Sequence, residues 1–214
     1  MSEETIMNAE GFDAWAEDYD ETVRACDAAG EYPFAGYAAL LDQMTEIVHA
    51  REGVSVLDLG CGTGALDARL FALGHPVTGL DFSEKMLAQA QKRVPGGRFV
   101  RGELGKPLPP ALEGETFDCI LAAYSLHHLP DEEKYAYLRA LRTHLAPEGV
   151  ILLGDVSFPN RAGLEACREA YGDEWDDSEH YLVRDELEAA LPAFNVDCIP
   201  ISFCADVLIL SPAD

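Results

Sequence analysis

From residue 54 onward, short apolar runs alternate with longer stretches in which apolar residues recur every three or four positions. Residues 54–59, 76–81, 98–101, 117–122 and 150–156 read as strands, and 65–73, 84–93 and 131 to about 145 as helices between them. Ser83 stands as the N-cap of the helix at 84–93, and Asp131 as the cap of the helix that follows it, with Glu132 and Glu133 in its first turn. Two further helices are expected at 160–171 and 183–191. Two final strands, 194–203 and 206–210, are joined by a link too short for a helical crossover, so they should pair antiparallel. The pattern predicts a Rossmann-like, doubly wound α/β sheet of seven strands, the last one reversed, with helices on both faces. Ahead of it, 12–28 and 33–50 carry helical periodicity with Trp15, Tyr19 and Tyr37 among many acids. We therefore expect one domain over 1–214, with 1–50 a helical cap segment that either packs on the sheet or lies as a lid over a ligand, and 51–214 the core.

The first strand empties into Asp58-Leu59-Gly60-Cys61-Gly62-Thr63-Gly64 and then a helix. Alternate glycines permit backbone torsions and close ligand approach that a Cβ would block, and the helix N-terminus presents free N–H groups and partial positive charge. A ligand with an anionic group is implied. By itself the turn is a weak signal, because Gly60, Gly62 and Ala65 also fit a loosened dinucleotide pattern, G-x-G-x-x-A. Asp58 tips the balance: an acid there suits a ligand that also carries a cation.

Composition narrows the partners. Lys+Arg 15 against Asp+Glu 39 gives a formal charge of -24, which opposes binding to nucleic acid and to anionic membranes. The six cysteines are scattered, without a C-x-x-C pair or histidines at zinc spacing, so reduced thiols, no metal site and a cytoplasmic location are expected. No apolar run spans a membrane, and Glu3, Glu4 and Glu10 do not fit a signal peptide.

The glycine stretch, with Asp81 closing the second strand and an antiparallel pair at the end, resembles the class I S-adenosylmethionine-dependent methyltransferases. Residues 15–20 (Trp-Ala-Glu-Asp-Tyr-Asp) and 124–129 (Tyr-Ser-Leu-His-His-Leu) are similar to small bacterial methyltransferases of unassigned acceptor. The resemblance implies strand order 3-2-1-4-5-7-6, with strand 7 antiparallel, and S-adenosyl-L-methionine as cofactor. It assigns Gly60, Cys61, Gly62 and Gly64 to the methionine moiety, Asp58 to its ammonium, Asp81 to the ribose hydroxyls, and Phe82 to the adenine. Met86, Glu103 and Leu104 join the cofactor set, Glu103 standing where the family often has Asp. Tyr19 would reach the cofactor from the cap, and Ala123 would border the sulfonium. Methyl transfer to a small-molecule acceptor by in-line displacement is the implied reaction, by a monomer or homodimer. A non-catalytic cofactor-binding module and, less favoured, an NAD-binding oxidoreductase are the alternatives.

Alignment alone accelerates such a displacement, so no protein nucleophile is needed, and no G-x-S-x-G or activated cysteine signature is present. His127 and His128 are candidates for a general base, against the plainer reading of one core ring and one hydrogen-bonding ring. Asp155, at the exit of the fifth strand, lies on the edge where open α/β sheets bind ligands and is a candidate acceptor contact. Tyr37, Tyr124 and His180 complete the candidate acceptor residues, His180 lying in an acidic, aromatic stretch that also suits an ordinary loop.

Overall fold

The computed structural model describes residues 19–51 and 53–213, which form an α/β sandwich. In chain order they give α1 (Tyr19–Ala29), α2 (Tyr37–His49), β1 (Val56–Leu59), α3 (Ala65–Ala72), β2 (Val77–Asp81), α4 (Glu84–Arg93), β3 (Arg98–Arg101) and β4 (Phe117–Ala123). These are followed by α5 (Asp131–Leu141), β5 (Leu145–Phe158), α6 (Arg161–Tyr171), β6 (Leu182–Val183), α7 (Arg184–Ala190), β7 (Phe194–Pro200) and β8 (Ala205–Pro212).

The main sheet runs β3-β2-β1-β4-β5-β8-β7, parallel as far as β5 and antiparallel at β5–β8 and β7–β8. This is the expected order with one strand added. β6 is a two-residue strand off the main path that pairs with the far end of β5, Ser157 opposite Leu182 and Phe158 opposite Val183. It escaped prediction because two residues carry no periodicity, and because Val183 was assigned to the helix that begins one residue later. β5 is also longer than expected. Glu148, at φ 62, and Gly149 kink the strand locally, and its register with β4 shifts there. Asp131 is the first helical residue of α5 rather than its cap, a place held by Pro130; its carboxylate instead meets Lys134 Nζ at 3.1 Å. Ser83 caps α4 as expected, accepting from the Met86 N–H at 3.1 Å.

Side chains alternate across β1. Leu57 and Leu59 enter a core layer with Tyr137, Leu138 and Leu141 of α5 and Leu187 of α7. Val56 enters the opposite layer, with Leu66 and Leu70 of α3 and Leu40, Leu41, Met44 and Val48 of α2. Each of those fully buried α2 side chains contributes on the order of 1.5 to 3 kcal/mol. The second leading helix is thus part of the core. It crosses β5 at Gly154, where a Cβ would lie 2.5 Å from Leu40 Cδ2 and 2.6 Å from Met44 Sδ. The same alternation puts Asp58 on the face of Val56, beneath α3.

Candidate active site

Site residues gather at the carboxyl ends of β1, β2, β4 and β5, the edge at which the strand order reverses. The glycine turn leaves β1 with Gly60, Gly62 and Gly64 all at positive φ (72, 53 and 77°). They serve different ends. A Cβ on Gly60 would sit 2.6 Å from Ser125 Cβ and 3.5 Å from Leu104 Cδ1, and one on Gly64 3.0 Å from Ala90 Cβ, so both make room for the protein itself. Of the three, Gly62 opens on free space, with nothing among the described residues within 4 Å of that position. Gly60 and Gly64 thus have a packing reason of their own beside any part in ligand approach; Gly64 lets α3 lie against α4.

Asp81 ends β2 and organises the turn: its Oδ2 accepts from Gly62 N at 3.0 Å and its Oδ1 from Ser83 N at 2.8 Å. A carboxylate has about four acceptor positions, so these bonds leave capacity for further donors. Phe82 is half-buried beside it and Met86 buried below. Cys61 is buried, with its Sγ 2.7 Å from where a Cβ on Gly79 would lie, and burial together with Asp67, Asp58 and Asp81 raises its thiol pKa well above the ordinary value. Leu104 borders Gly60, whereas Glu103 is exposed on the turn after β3.

Asp58 is buried, and its Oδ1 has no hydrogen-bond partner. Across from it on α3 lies Asp67, fully buried with both oxygens unpartnered. Burial, then Asp67 and Asp81, push the Asp58 carboxyl well above the usual range; burial pushes that of Asp67 up to about 7. Sequence reasoning missed Asp67. The signal was available: it lies three residues before Leu70 and four after Thr63, an acid on the inward stripe of its helix.

The first described helix, α1, reaches the same turn. Thr63 Oγ1 donates to Asp20 Oδ1 at 2.8 Å, Arg93 Nη1 donates to Thr63 Oγ1 at 3.0 Å, and Arg93 pairs with the other Asp20 oxygen. Burial raises the Asp20 pKa, but Arg93 and Thr63 outweigh it and the net shift is downward. Residues 15–18 and the Tyr19 side chain lie outside the described residues.

On the β4 and β5 side, Tyr124 follows β4 at φ 49, an uncommon conformation for a bulky residue, held by its N–H bond to Gly154 O at 2.8 Å. Its ring meets those of Tyr37 (5.3 Å between centroids) and Phe34 (5.2 Å), so two predicted acceptor residues meet in one aromatic wall, next to half-buried Ala123. Phe34 was not predicted. The Tyr124 hydroxyl is buried and unpartnered.

Behind that wall His127 is buried, with its Nδ1 2.6 Å from Asp155 Oδ1, and its Nε2 faces Glu179 Oε2 at 3.7 Å. Burial alone lowers the His127 pKa, but the charge and hydrogen bond of Asp155, joined by Glu179, outweigh it and raise the net value. His128 Nδ1 lies 3.1 Å from the same Glu179 oxygen. His127, His128 and Glu179 bring one ligand atom each within 4.8 Å, a grouping that spacing along the chain did not reveal because Glu179 comes from a distant loop. A proton on His127 between two carboxylates meets the same electrostatic need. His180 is exposed; its backbone does the work, with its N–H donating to His127 O at 2.7 Å and its carbonyl accepting from the buried Lys134. Tyr32 stacks on Trp175 at 5.0 Å and hydrogen-bonds Tyr181, fixing this loop against the sheet.

A family model described as a methyltransferase domain matches residues 56–149. An uncharacterized methyltransferase of Bacillus pumilus is 38% identical over 156 residues, 72% of this chain and 70% of its own length. The chain belongs to the class I S-adenosylmethionine-dependent methyltransferases. The uncharacterized methyltransferase YrrT of Bacillus subtilis is 32% identical to this methyltransferase over 85% of the chain and 86% of its own. The fold matches the DhpI–SAH complex (TM-score 0.71, 23% identity, 97% and 96% of the two chains). It also matches magnesium protoporphyrin IX methyltransferase from Synechocystis PCC 6803 with bound SAH (TM-score 0.70, 21%, 94% and 97%). The cofactor of the methyltransferase is S-adenosylmethionine, and the buried Asp58 Oδ1 without a hydrogen-bond partner, together with the open space over Gly62 among the described residues, is compatible with such a ligand. Among the described residues no helix is long and apolar enough to cross a membrane.

Proposed function

We propose that this enzyme methylates a small-molecule acceptor that must lose a proton as it reacts, with His127 as the base and Asp155 as its orienter. The observation that carries this reading is the 2.6 Å contact of His127 Nδ1 with Asp155 Oδ1 at the ligand-binding edge of the sheet. That bond fixes Nδ1 as the protonated nitrogen of the neutral ring and leaves Nε2 as the acceptor. Bound S-adenosylmethionine supplies an electrophilic methyl group on a sulfonium, with S-adenosylhomocysteine as the leaving product. Asp58, Cys61, the Gly62 backbone, Asp81, Phe82, Met86 and Leu104 would hold it, and Ala123 would border its sulfur. Glu103, which is exposed, would lie at the rim.

Tyr37, Tyr124 and Phe34 would border the reacting centre. Their ring faces favour a neighbouring cation and their bulk excludes water. Holding the acceptor in line with the leaving sulfur contributes on the order of 7 to 11 kcal/mol, and the base adds roughly 10²- to 10⁴-fold. We read residues 1–214 as one methyltransferase domain with 1–50 as its cap; the burial of α2 in the common core supports this. The net charge of -24 favours a small acceptor over a nucleic acid.

The test is incubation with methyl-labelled S-adenosylmethionine and fractionated metabolites, comparing the unmodified enzyme with His127→Ala and Asp155→Asn. Label should appear in a small, proton-losing acceptor and fall steeply in both variants. Cofactor binding without transfer to any acceptor would instead support a non-catalytic binding module.

A further inference from the structure

Asp58 and Asp67 form an arrangement that a structural role does not explain. One comes from the end of β1 and the other from the first turn of α3, and their carboxyl groups are close enough for a proton on one to be shared with the other. Neither takes part in an ion pair among the described residues, and three of their four oxygens are buried without a donor. The groups facing them add no positive charge. Asp81 comes from β2, Cys61 from the glycine turn, and Tyr37 from α2, whose hydroxyl is pushed up to about 12 by its own burial, with Asp20 and Asp58 adding to the shift. The nearby guanidinium groups are engaged elsewhere, Arg69 with Asp42 and Arg93 with Asp20. Two charged carboxylates cannot both persist so close in such a setting. An asparagine at position 67 would remove the charge conflict with little change of volume. A buried acid pair with unmet acceptor capacity therefore points to a cationic ligand group.

We propose that Asp67 acts with Asp58 as a proton-exchanging receptor for the ammonium group of the cofactor. In the free enzyme the pair holds one proton; on binding, the proton leaves to solvent and the ammonium takes its place between two carboxylates. Charge balances, because one cation replaces another within the same buried volume. The proposal rests on the contact of Asp58 with the cofactor's amino-acid end. It adds a second acid, from the helix rather than from the glycine motif, and a pH dependence that the glycine motif alone does not predict. The same exchange discriminates between ligands, since an adenosine thioether lacking the amino-acid group offers nothing to displace the proton.

Calorimetric titration of the full-length enzyme with S-adenosylhomocysteine, in buffers of differing ionisation enthalpy, reads the exchange directly. At about pH 8, where Asp67 is ionised and the pair holds one proton, close to one proton should be released per site, and the affinity should rise with pH for as long as the free pair stays protonated. Methylthioadenosine, which has no ammonium, should bind without proton release. Asp67→Asn should keep S-adenosylhomocysteine binding but lessen the release and shift the pH dependence to lower pH, because burial still acts on Asp58 while the repulsion from Asp67 is gone. Equal heats in all buffers, or an Asp67→Asn profile identical to that of the unmodified enzyme, would overturn the proposal without touching the cofactor assignment. Failure of the unmodified enzyme to bind S-adenosylhomocysteine at any pH would overturn both. The buffer comparison needs no variant, so it stands even if the substitution impairs folding.

Discussion

His127 Nδ1 and Asp155 Oδ1 stand 2.6 Å apart, joining the turn after β4 to the end of β5. The contact stabilises the imidazolium as well as the ring's orientation, so the free enzyme keeps His127 protonated to a higher pH than an ordinary histidine. A base must be neutral to accept a proton. The acidic limb of kcat/KM should therefore lie above pH 6.5, the ordinary histidine value. Asp155→Asn should move it to lower pH while lowering the plateau, and His127→Ala should remove the limb with a loss of about 10²-fold or more. A limb left in place by His127→Ala would exclude this residue as the base.

Asp81 accepts from two backbone N–H groups and, in the proposed complex, from ribose hydroxyls. Asp81→Ala should weaken S-adenosylhomocysteine binding by roughly 1.5 to 3 kcal/mol, the scale for hydrogen bonds to a charged group. Unchanged affinity in calorimetry would remove the ribose role.

The glycines at 62 and 64 should separate binding from stability. Both have positive φ, which costs a non-glycine residue about 1 to 2 kcal/mol. Gly64→Ala also drives a methyl group into Ala90 and should lose a further 1 to 3 kcal/mol or so in urea unfolding. Gly62→Ala, which meets no atom of the described residues, should unfold with only the backbone penalty and show its main effect on cofactor affinity. Equal stabilities for the two variants would contradict the packing role of Gly64.

The raised Asp67 pKa has a consequence for stability. An aspartate of ordinary pKa, 3.8, in the unfolded chain reaches about 7 here, so the folded state binds more protons between those values. Its contribution to stability is complete below pH 3.8 and is lost as the pH rises toward about 7. Asp67→Asn should therefore raise the Tm of the cofactor-free enzyme at pH 8, by about 5 °C, and change it little at pH 4. A Tm lowered at both pH values would mean that the carboxylate is held by partners after all.

The sheet order, the reversed last strand and the cofactor turn were legible because each rests on local signals: a period of two, an acid at a strand exit, a linker too short to cross over. Ser83 was equally plain. Asp131 was misread as a cap because acids serve equally well inside a first turn, and Pro130 took the cap instead. β6 escaped because pairing with β5, not its own two residues, makes it a strand. At the site, Tyr37 with Tyr124 and His127 with Asp155 were named separately, but nothing in the sequence joined them. Asp67 and Glu179 owe their places to tertiary packing: one to the seat of α3 on β1, the other to a loop fixed by Tyr32, Trp175 and Tyr181. Gly64 shows the reverse case, a motif residue whose need comes from a neighbouring helix.

The extension of β5 to Phe158 and its pairing with β6 place Asp155, Trp175, Glu179, His180 and Tyr181 beyond the end of the stretch matched by the methyltransferase-domain model. In the proposed reading part of the acceptor side, Asp155 and the loop that carries Glu179, is then written apart from the glycine turn, while Tyr124 and His127 lie within the matched stretch. In that reading the segment between β5 and β7 supplies part of the acceptor side, and the glycine turn holds the methyl donor. Grafting that segment from one relative to another should change which compound is methylated while leaving the grip on the methyl donor as it was.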